Sequence, residues 1–433
     1  MTKFQFRKRP FTGLFLLYLL FLSSVLSQDF RTVISSVEFS GNDKTRNYII
    51  EREIQHPVDV NLDSSLAKED LYRLENLGLF SEITWQVIPL ENGTAILEYR
   101  IIESMQRTPP VPVPIYEEDT GWSLGGAWVI NNFRGRNQML VLGGMVGGQN
   151  MYGINFLDPW MFGNHVSVYT NIGKKLYGHN FLERDVEVNS FQLTLGRWFG
   201  ETIKVSAGFE LESKTFSNKH ETDSFYYFAP DLTLKYDTRD IYWNPGKGIL
   251  ISHYFYKMIG IDPSEHSLLI WRQSYSWFKK INQSSKKLVL ALNTTFFGKW
   301  GDKQNVWLNY FGDSFTVRGW ALPTRDLFRS GEESFRFGYE YVHGTIELRK
   351  DIIPKYATDY GVEFGLNLVG FIDAGVVADD WNSLKDQILM SGTGFGIRIP
   401  MPIVNVFRLD VGWGYRDGKF NSPSIHYGFE QKF

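Results

Sequence analysis

The sequence predicts a small α+β module followed by an all-β transmembrane antiparallel barrel of about 16 strands. Three observations carry that prediction. The first residues form an export address. Aromatic side chains make up 16% of the 433 residues, with 34 Phe, 22 Tyr and 13 Trp, a load suited to strands and membrane interfaces. From residue 113 onward, apolar and polar residues alternate with period two over many segments, as in a sheet with two unlike faces.

The address comes first. Lys3, Arg7, Lys8 and Arg9 precede an apolar run over 11–26, and Val25 and Ser27 follow where a signal peptidase reads. We expect a signal peptide over 1–27, cleaved after Ser27. The alternative is an N-terminal membrane anchor, although a spanning helix wants about 20 apolar residues. Nothing after Ser27 is apolar enough for such a helix. A membrane-embedded body must then be a closed barrel, because only helices and barrels satisfy every backbone group in lipid.

Residues 31–104 read as strand, helix, helix, strand, strand. Val33, Ile34, Val37 and Phe39 form the first strand, stopped by Ser40-Gly41-Asn42. Thr45 is the expected N-cap of a helix through Ile49, Ile50 and Ile54, ended by Pro57. Asp63 or Ser64 caps a second helix carrying Leu66, Leu71 and Leu74, with Gly78 at its C-terminus. Strands over 83–87 and 95–101 flank the turn Glu91-Asn92-Gly93. Residues 105–112, with Pro109, Pro110 and Pro112, read as a stiff extended linker.

The barrel segment spans 113–433. Ile203, Val205, Ala207, Phe209 and Leu211 share one face, and Lys204, Ser206, Gly208, Glu210 and Glu212 the other. Phe407, Leu409, Val411, Trp413 and Tyr415 oppose Arg408, Asp410, Gly412 and Gly414. Thr393, Phe395, Ile397 and Ile399 oppose Gly394, Gly396 and Arg398. Charges and glycines would make a poor dry core, which argues against a soluble sandwich. Connections alternate in length, as in outer-membrane barrels. Short turns are expected at 134–137, 158–164, 199–201, 282–286 and 400–403, and longer loops at 176–185, 215–225, 299–334 and 376–387. An even strand count puts the longer loops on the side away from the N-terminal module.

Two stretches of the module, "FSGNDKTRNYIIEREI" and "LYRLENLGLFSEITWQV", together with "ILEYRIIE", resemble a POTRA domain. Such domains precede the barrel in the BamA/TamA outer-membrane assembly superfamily, the bacterial surface antigen family. The resemblance covers nearly the whole exported chain and implies one POTRA module in the periplasm. "YDTRDIYWNPGKG" (236–248) is by itself a charge cluster at a turn. Its Asp237, Arg239, Asp240, Pro245 and Gly248 resemble a family signature, read as a structural periplasmic turn. "VRGW", Val317, Arg318, Gly319 and Trp320, lies in the longest loop and resembles the family's loop tip that folds into the lumen. The resemblance implies that Arg318 pairs with Asp373 and with Glu347, both on the polar face of later strands; a guanidinium can hold a carboxylate with two bonds. Arg318 then either only pins the loop or also serves transport. Few glycines follow this motif, a departure from many relatives. Tyr427, Phe429 and Phe433, alternating with His426, Gly428, Glu430 and Lys432, resemble the assembly signal of outer-membrane proteins.

These features imply an outer-membrane location in a Gram-negative-type bacterium. The expected function is an assembly factor that assists insertion or translocation of client polypeptides, captured by the POTRA domain and the barrel seam. Outer-membrane lipids and periplasmic accessory proteins are the other implied partners. The alternatives are a surface antigen or passive pore without a client, and a two-partner secretion-type transporter. The near-neutral charge of −3 argues against nucleic acid as a partner. Absence of cysteine removes thiolate metal sites and thiol nucleophiles. The sequence has no Gly-x-Ser-x-Gly elbow and no His-Glu-x-x-His, so no enzyme, cofactor or metal is expected. Asp379-Asp380 reads as a solvated loop tip rather than a calcium site, which needs six or more oxygens.

Overall fold

The computed structural model describes residues 32–433 except 109–111, 118–119, 164, 180, 262–263, 359–360 and 402–404. The expected signal peptide over 1–27, Pro109 and Pro110 lie outside the described residues.

The N-terminal module comprises β1 (Val33–Ser40), α1 (Asn47–Glu51), β2 (Val60–Asn61), α2 (Ser64–Asn76), β3 (Phe80–Pro89) and β4 (Ala95–Glu103). Its sheet runs β2-β1-β4-β3, with β1 parallel to β4 and β3 antiparallel to it. The helices lay Ile49, Ile50, Ala67 and Leu74 over Ile34, Leu97 and Tyr99, all fully buried; each large side chain contributes about 1.5–3 kcal/mol of burial. Asp63 caps α2 by accepting from the backbone N–H of Ser65 and Leu66. Gly78 follows it at φ +68, the left-handed geometry that ends helices. The expected cap of the first helix is different. Thr45 donates its hydroxyl to Glu103, Arg46 takes the N-cap position, and α1 ends at Glu51, before Ile54.

The barrel strands follow in sequence as β5 (Val113–Glu117), β6 (Gly121–Phe133), β7 (Gln138–Gly147), β8 (Gln149–Asp158), β9 (Val166–Gly178), β10 (Asp185–Phe199), β11 (Ile203–Ser217), β12 (Thr222–Asp237), β13 (Lys247–Gly260), β14 (Ser267–Lys280) and β15 (Leu288–Gly301). A long loop carries two-residue pieces β16 (Asn309–Tyr310) and β17 (Phe337–Gly338) and a short helix α3 (Arg325–Ser330). Then come β18 (Glu340–Ala357), β19 (Glu363–Ala378), β20 (Met390–Met401), β21 (Asn405–Arg416), β22 (Lys419–Phe420) and β23 (Ser424–Phe429). Every pair with a described register is antiparallel, and the sheet closes with β23 beside β5. Since β22 only extends the hairpin between β21 and β23, sixteen strands make the wall. Among the described residues no helix is long and apolar enough to cross a membrane. Strands do the crossing, with Leu195, Ile203, Leu211, Ile346, Ile372 and Phe395 exposed on the outer face.

Several strands are longer than expected, up to 18 residues in β18. The predicted loops at 176–185 and 215–225 shrink accordingly to residues 179–184 and 218–221, because β9 to β12 pair in unbroken register out to Gly178–Asp185 and Ser217–Thr222. The linker is also no free spacer. The Asn131 N–H donates to the Gln106 carbonyl at 2.8 Å, the Thr108 N–H donates to the Val129 carbonyl at 3.0 Å, and the Thr108 hydroxyl bonds both Ala127 and Val129. Residues 106–108 therefore continue along the edge of β6 that β5 covers.

The module docks against the barrel end formed by turns β6–β7, β8–β9, β10–β11, β12–β13 and β18–β19. Asn132 donates to Thr45, Arg52 stacks 4.1 Å over Trp160, and Arg73 pairs with Glu201. Asn76 bonds both the Asp240 carbonyl and the Tyr242 N–H, and Lys355 sits between Glu75 and Glu363. All these turns lie on the same side, as strict up-and-down topology requires.

Candidate functional site

The loop over 302–339 enters the barrel instead of standing outside it. Its local geometry is set by Asp313, which accepts from the N–H groups of Phe315 and Thr316 at 2.9 and 2.6 Å, an Asx turn. That turn aims Val317–Trp320 at the inner faces of β19, β20, β21 and β23. Val317 packs among Phe311, Trp320, Phe335, Val377 and Met390. Gly319 has φ +93, and a Cβ there would stand 2.5 Å from the Trp413 carbonyl carbon. Its N–H donates to His426 Nε2 at 2.9 Å, its carbonyl accepts from the Gly414 N–H at 2.6 Å, and Trp320 Nε1 donates to the Ser391 carbonyl at 2.9 Å. On the wall, a Cβ at Gly392 would stand 1.9 Å from the Arg318 carbonyl oxygen. The glycines of these strands make room for the loop backbone.

Arg318 is fully buried. Its Nε and Nη2 donate to the two oxygens of Asp373 at 2.7 and 3.0 Å, and its backbone N–H donates to the same carboxylate at 3.0 Å. Its Nη1 donates to Glu347 at 2.8 Å and to Asp410 at 2.9 Å. The guanidinium stacks 3.6 Å from the Phe371 ring centre. Around it, Arg349 pairs with Glu347 at 2.7 Å, Arg398 with Asp410 at 2.6 Å, and Lys432 with Asp373 at 2.9 Å. Arg408 lies 3.9 Å from Asp410. Three side-chain carboxylates thus face five cations in a site closed to solvent, where Arg349 also donates to a main-chain oxygen of Phe433 at 3.4 Å. Paired charges of this kind add little net stability, but removing one partner strands the other and costs about 3–5 kcal/mol.

Among the residues singled out in the sequence, Arg318, Glu347 and Asp373 meet here. Asp410, Arg398, Arg349 and Lys432 join them without having been assigned to the site. Their signal was visible as charges on the glycine-bearing face of the last strands. Alternation shows the face of a residue; it does not show which neighbours a distant loop will bring.

The Asp237–Gly248 motif forms the β12–β13 turn. Arg239 Nη2 pairs with Asp237 at 2.7 Å, and Asp240 Oδ1 accepts the Gly246 N–H at 2.8 Å. Pro245 is buried, and Gly248 has φ +113 with the Thr238 carbonyl oxygen 2.3 Å from where a Cβ would stand. Burial pushes the Tyr242 hydroxyl up to about 12. This turn is also the part that Asn76 and Glu75 of α2 grip, with Trp243 Nε1 donating to Glu75 at 3.1 Å.

The expected continuation of alternation to Phe433 requires correction. Strand β23 stops at Phe429, which is exposed on the outer face near Tyr427. Glu430 takes φ +68 and turns the chain inward. Lys432 then reaches Asp373 and the Thr316 carbonyl, while Phe433 stacks on Phe278 at 5.9 Å in the lumen under Arg349. Pairing a buried carboxylate outweighs one more aromatic on the lipid face.

The comparisons with known proteins agree with this architecture. Residues 132–433 match the Omp85 superfamily domain. Outer membrane protein assembly factor BamA of Neisseria meningitidis serogroup B is 22% identical over 218 residues, covering 48% of this chain and 26% of that protein. The chain thus aligns with about a quarter of the length of that relative. The fold is similar to BamA from Haemophilus ducreyi lacking POTRA domains 1-3, with TM-score 0.56 and 17% identity over 93% of this chain and 84% of that one. It is also similar to CdiB from Acinetobacter baumannii, with TM-score 0.54 and 14% identity over 93% and 74% of the two chains. For CdiB from Escherichia coli the TM-score is 0.57, with 12% identity over 92% and 76%. With the match running from the end of β6 through the lumen cluster to Phe433, this chain belongs to the Omp85 superfamily, its barrel in a Gram-negative outer membrane and its α+β module on the periplasmic side.

Proposed function

We propose that this protein assists insertion or translocation of client polypeptides at the outer membrane. The observation that carries the reading is the placement of the Arg318 cluster. It clamps the inserted loop to β18–β21 and, through His426 and Lys432, to β23 and the chain beyond it. That strand meets β5 at the closure of the barrel, and the two are short, six and five residues. Few ladder bonds hold such a seam, so it opens at lower cost than the long pairs of the wall, such as the fifteen-residue ladders of β10–β11 and β11–β12. A client strand pairs at the opened edge by backbone hydrogen bonds, and the exposed edge of β3 in the module offers a second such surface. The Arg318 loop keeps the wall beside the seam in register while the seam works.

The test is insertion of a small barrel client into liposomes carrying the purified protein, read by protease protection. The wild type is expected to accelerate insertion. Arg318→Ala, first shown to fold as a heat-modifiable barrel, is expected to lose most of that acceleration. The chain has no cysteine, so a cysteine pair across β5 and β23, near Ile115 and Phe429, can be screened for one that locks the seam. Unchanged insertion with the lock in place would refute the seam mechanism. No acceleration by the wild type, together with steady ion conductance, would overturn the assembly reading in favour of a pore or surface antigen. A second reading, a two-partner secretion-type transporter serving one dedicated polypeptide, is favoured by the fold likeness to CdiB. Under it, conductance rises only with that polypeptide and no general client is inserted.

A further inference from the structure

The lumen cluster is not balanced, and the imbalance has an address. Arg398 of β20 and Arg408 of β21 are direct cross-strand partners, both on the inner face and both at most 1% exposed. Like charges directly opposed across a ladder repel. Glu347 lies 3.5 Å from Arg398 Nη2 and is held by Arg318 and Arg349; Asp410, which faces both arginines, is also engaged: Oδ1 accepts from Arg398 at 2.6 Å and Oδ2 from Arg318 at 2.9 Å. Arg408 Nε, 3.9 Å from that oxygen, is too far for a hydrogen bond. Nε, Nη1 and Nη2 of Arg408 and Nε of Arg398 are all buried without an acceptor among the described residues. A buried guanidinium with its donors unmet costs several kcal/mol.

The neighbours of Arg408 leave its donors unmet. The Arg408 guanidinium lies over Gly428 of β23, where a Cβ would stand 3.4 Å from Nη2. The ring of Phe315, carried by the inserted loop, lies 5.1 Å from the guanidinium. The forked edge of Arg408 presents parallel N–H groups, the geometry that recognises carboxylate or phosphate with two bonds.

We propose that Arg408, with Arg398 Nε, holds a small oxyanion of the phosphate or carboxylate class in the lumen beside the seam. The ion is taken up as the Arg318 loop packs and is enclosed by it. It offsets the excess of five cations over three side-chain carboxylates, and it ties β20 and β21 to the loop. The proposal is independent of the assembly reading, since it rests on the unmet buried donors of Arg408 and Arg398.

The experiment uses the full exported chain refolded in detergent at matched ionic strength. One arm contains inorganic phosphate, one acetate, and one 2-morpholinoethanesulfonate, a much bulkier anion. Tryptophan fluorescence reports the thermal midpoint. The wild type is expected to gain at least about 2 °C in phosphate or acetate over the sulfonate. Arg408→Met is expected to show no such gain and, in the sulfonate, to melt no lower than wild type, since it removes an unpaired buried charge. Arg408→Lys keeps the charge, loses the fork, and is expected to gain less than wild type; it carries the test if the Met variant does not fold. Phosphate carried through gel filtration by wild type, reduced in Arg408→Lys and lost in Arg408→Met is the expected binding readout. Equal gains in wild type and variants would mark a general salt effect and overturn the proposal. So would no gain in the wild type.

Discussion

Replacing Asp373 with asparagine tests whether the lumen cluster is organised by its shortage of negative charge. In the folded protein that carboxylate accepts the Arg318 backbone N–H at 3.0 Å, Arg318 Nε at 2.7 Å, Arg318 Nη2 at 3.0 Å and Lys432 Nζ at 2.9 Å. Asp373→Asn keeps the shape, removes one of three acids and leaves five cations facing two. Stranding buried charge in this way costs about 3–5 kcal/mol, which is roughly a thousandfold in the folding equilibrium. Arg318→Met changes the balance the other way. Glu347 keeps Arg349 at 2.7 Å, Asp373 keeps Lys432, and Asp410 keeps Arg398 at 2.6 Å, so its cost is expected below about 3 kcal/mol. Urea unfolding in detergent at fixed ionic strength, followed by tryptophan fluorescence, measures both. With a slope of about 2–3 kcal/mol per molar urea, the Asp373 variant should lose about 1.5 M in midpoint. The reasoning is refuted if Arg318→Met costs as much as Asp373→Asn, or if the latter costs less than about 1 kcal/mol.

Three further outcomes follow from the same geometry. Gly392→Ala puts a Cβ 1.9 Å from the Arg318 carbonyl oxygen, so the loop must withdraw; limited proteolysis within 302–339 should become fast while the barrel stays heat-modifiable. Asn76→Ala removes both bonds to the β12–β13 turn, a loss of about 1–3 kcal/mol in docking; a spin-label pair across that contact should broaden its distance distribution. His165, in the β8–β9 turn against Trp160, has its pKa lowered first by burial and then by nearby Arg52. The folded state therefore binds its proton less well than the unfolded state, so stability is full above the ordinary value of about 6.5 and is lost as pH falls below it. A midpoint-against-pH series should show that slope flattened in His165→Asn.

The division of labour between sequence and tertiary structure is clearest at particular residues. Period-two alternation depends only on the pleat, so the faces of Ile346, Glu347, Ile372, Asp373, Arg408 and Asp410 were readable from local spacing. The same holds for the Asp63 cap and Gly78, whose roles involve backbone within a few residues. The Thr45 cap failed because Glu103, on the last strand of the module, competes for its hydroxyl. The loops at 176–185 and 215–225 shrank because strand length is set by what pairs alongside, and no single segment carries that. Residues 106–108 became part of the wall because β6 had an edge to fill. Phe433 turned inward because a buried carboxylate contributed by β19 lay within reach of Lys432. By itself the sequence determined an exported α+β module, an alternating barrel and an arginine-bearing loop, since those rest on short-range periodicity and backbone preference. The tertiary structure alone decided that five cations and three carboxylates share one dry site, because charge balance is a property of groups brought together from distant parts of the chain.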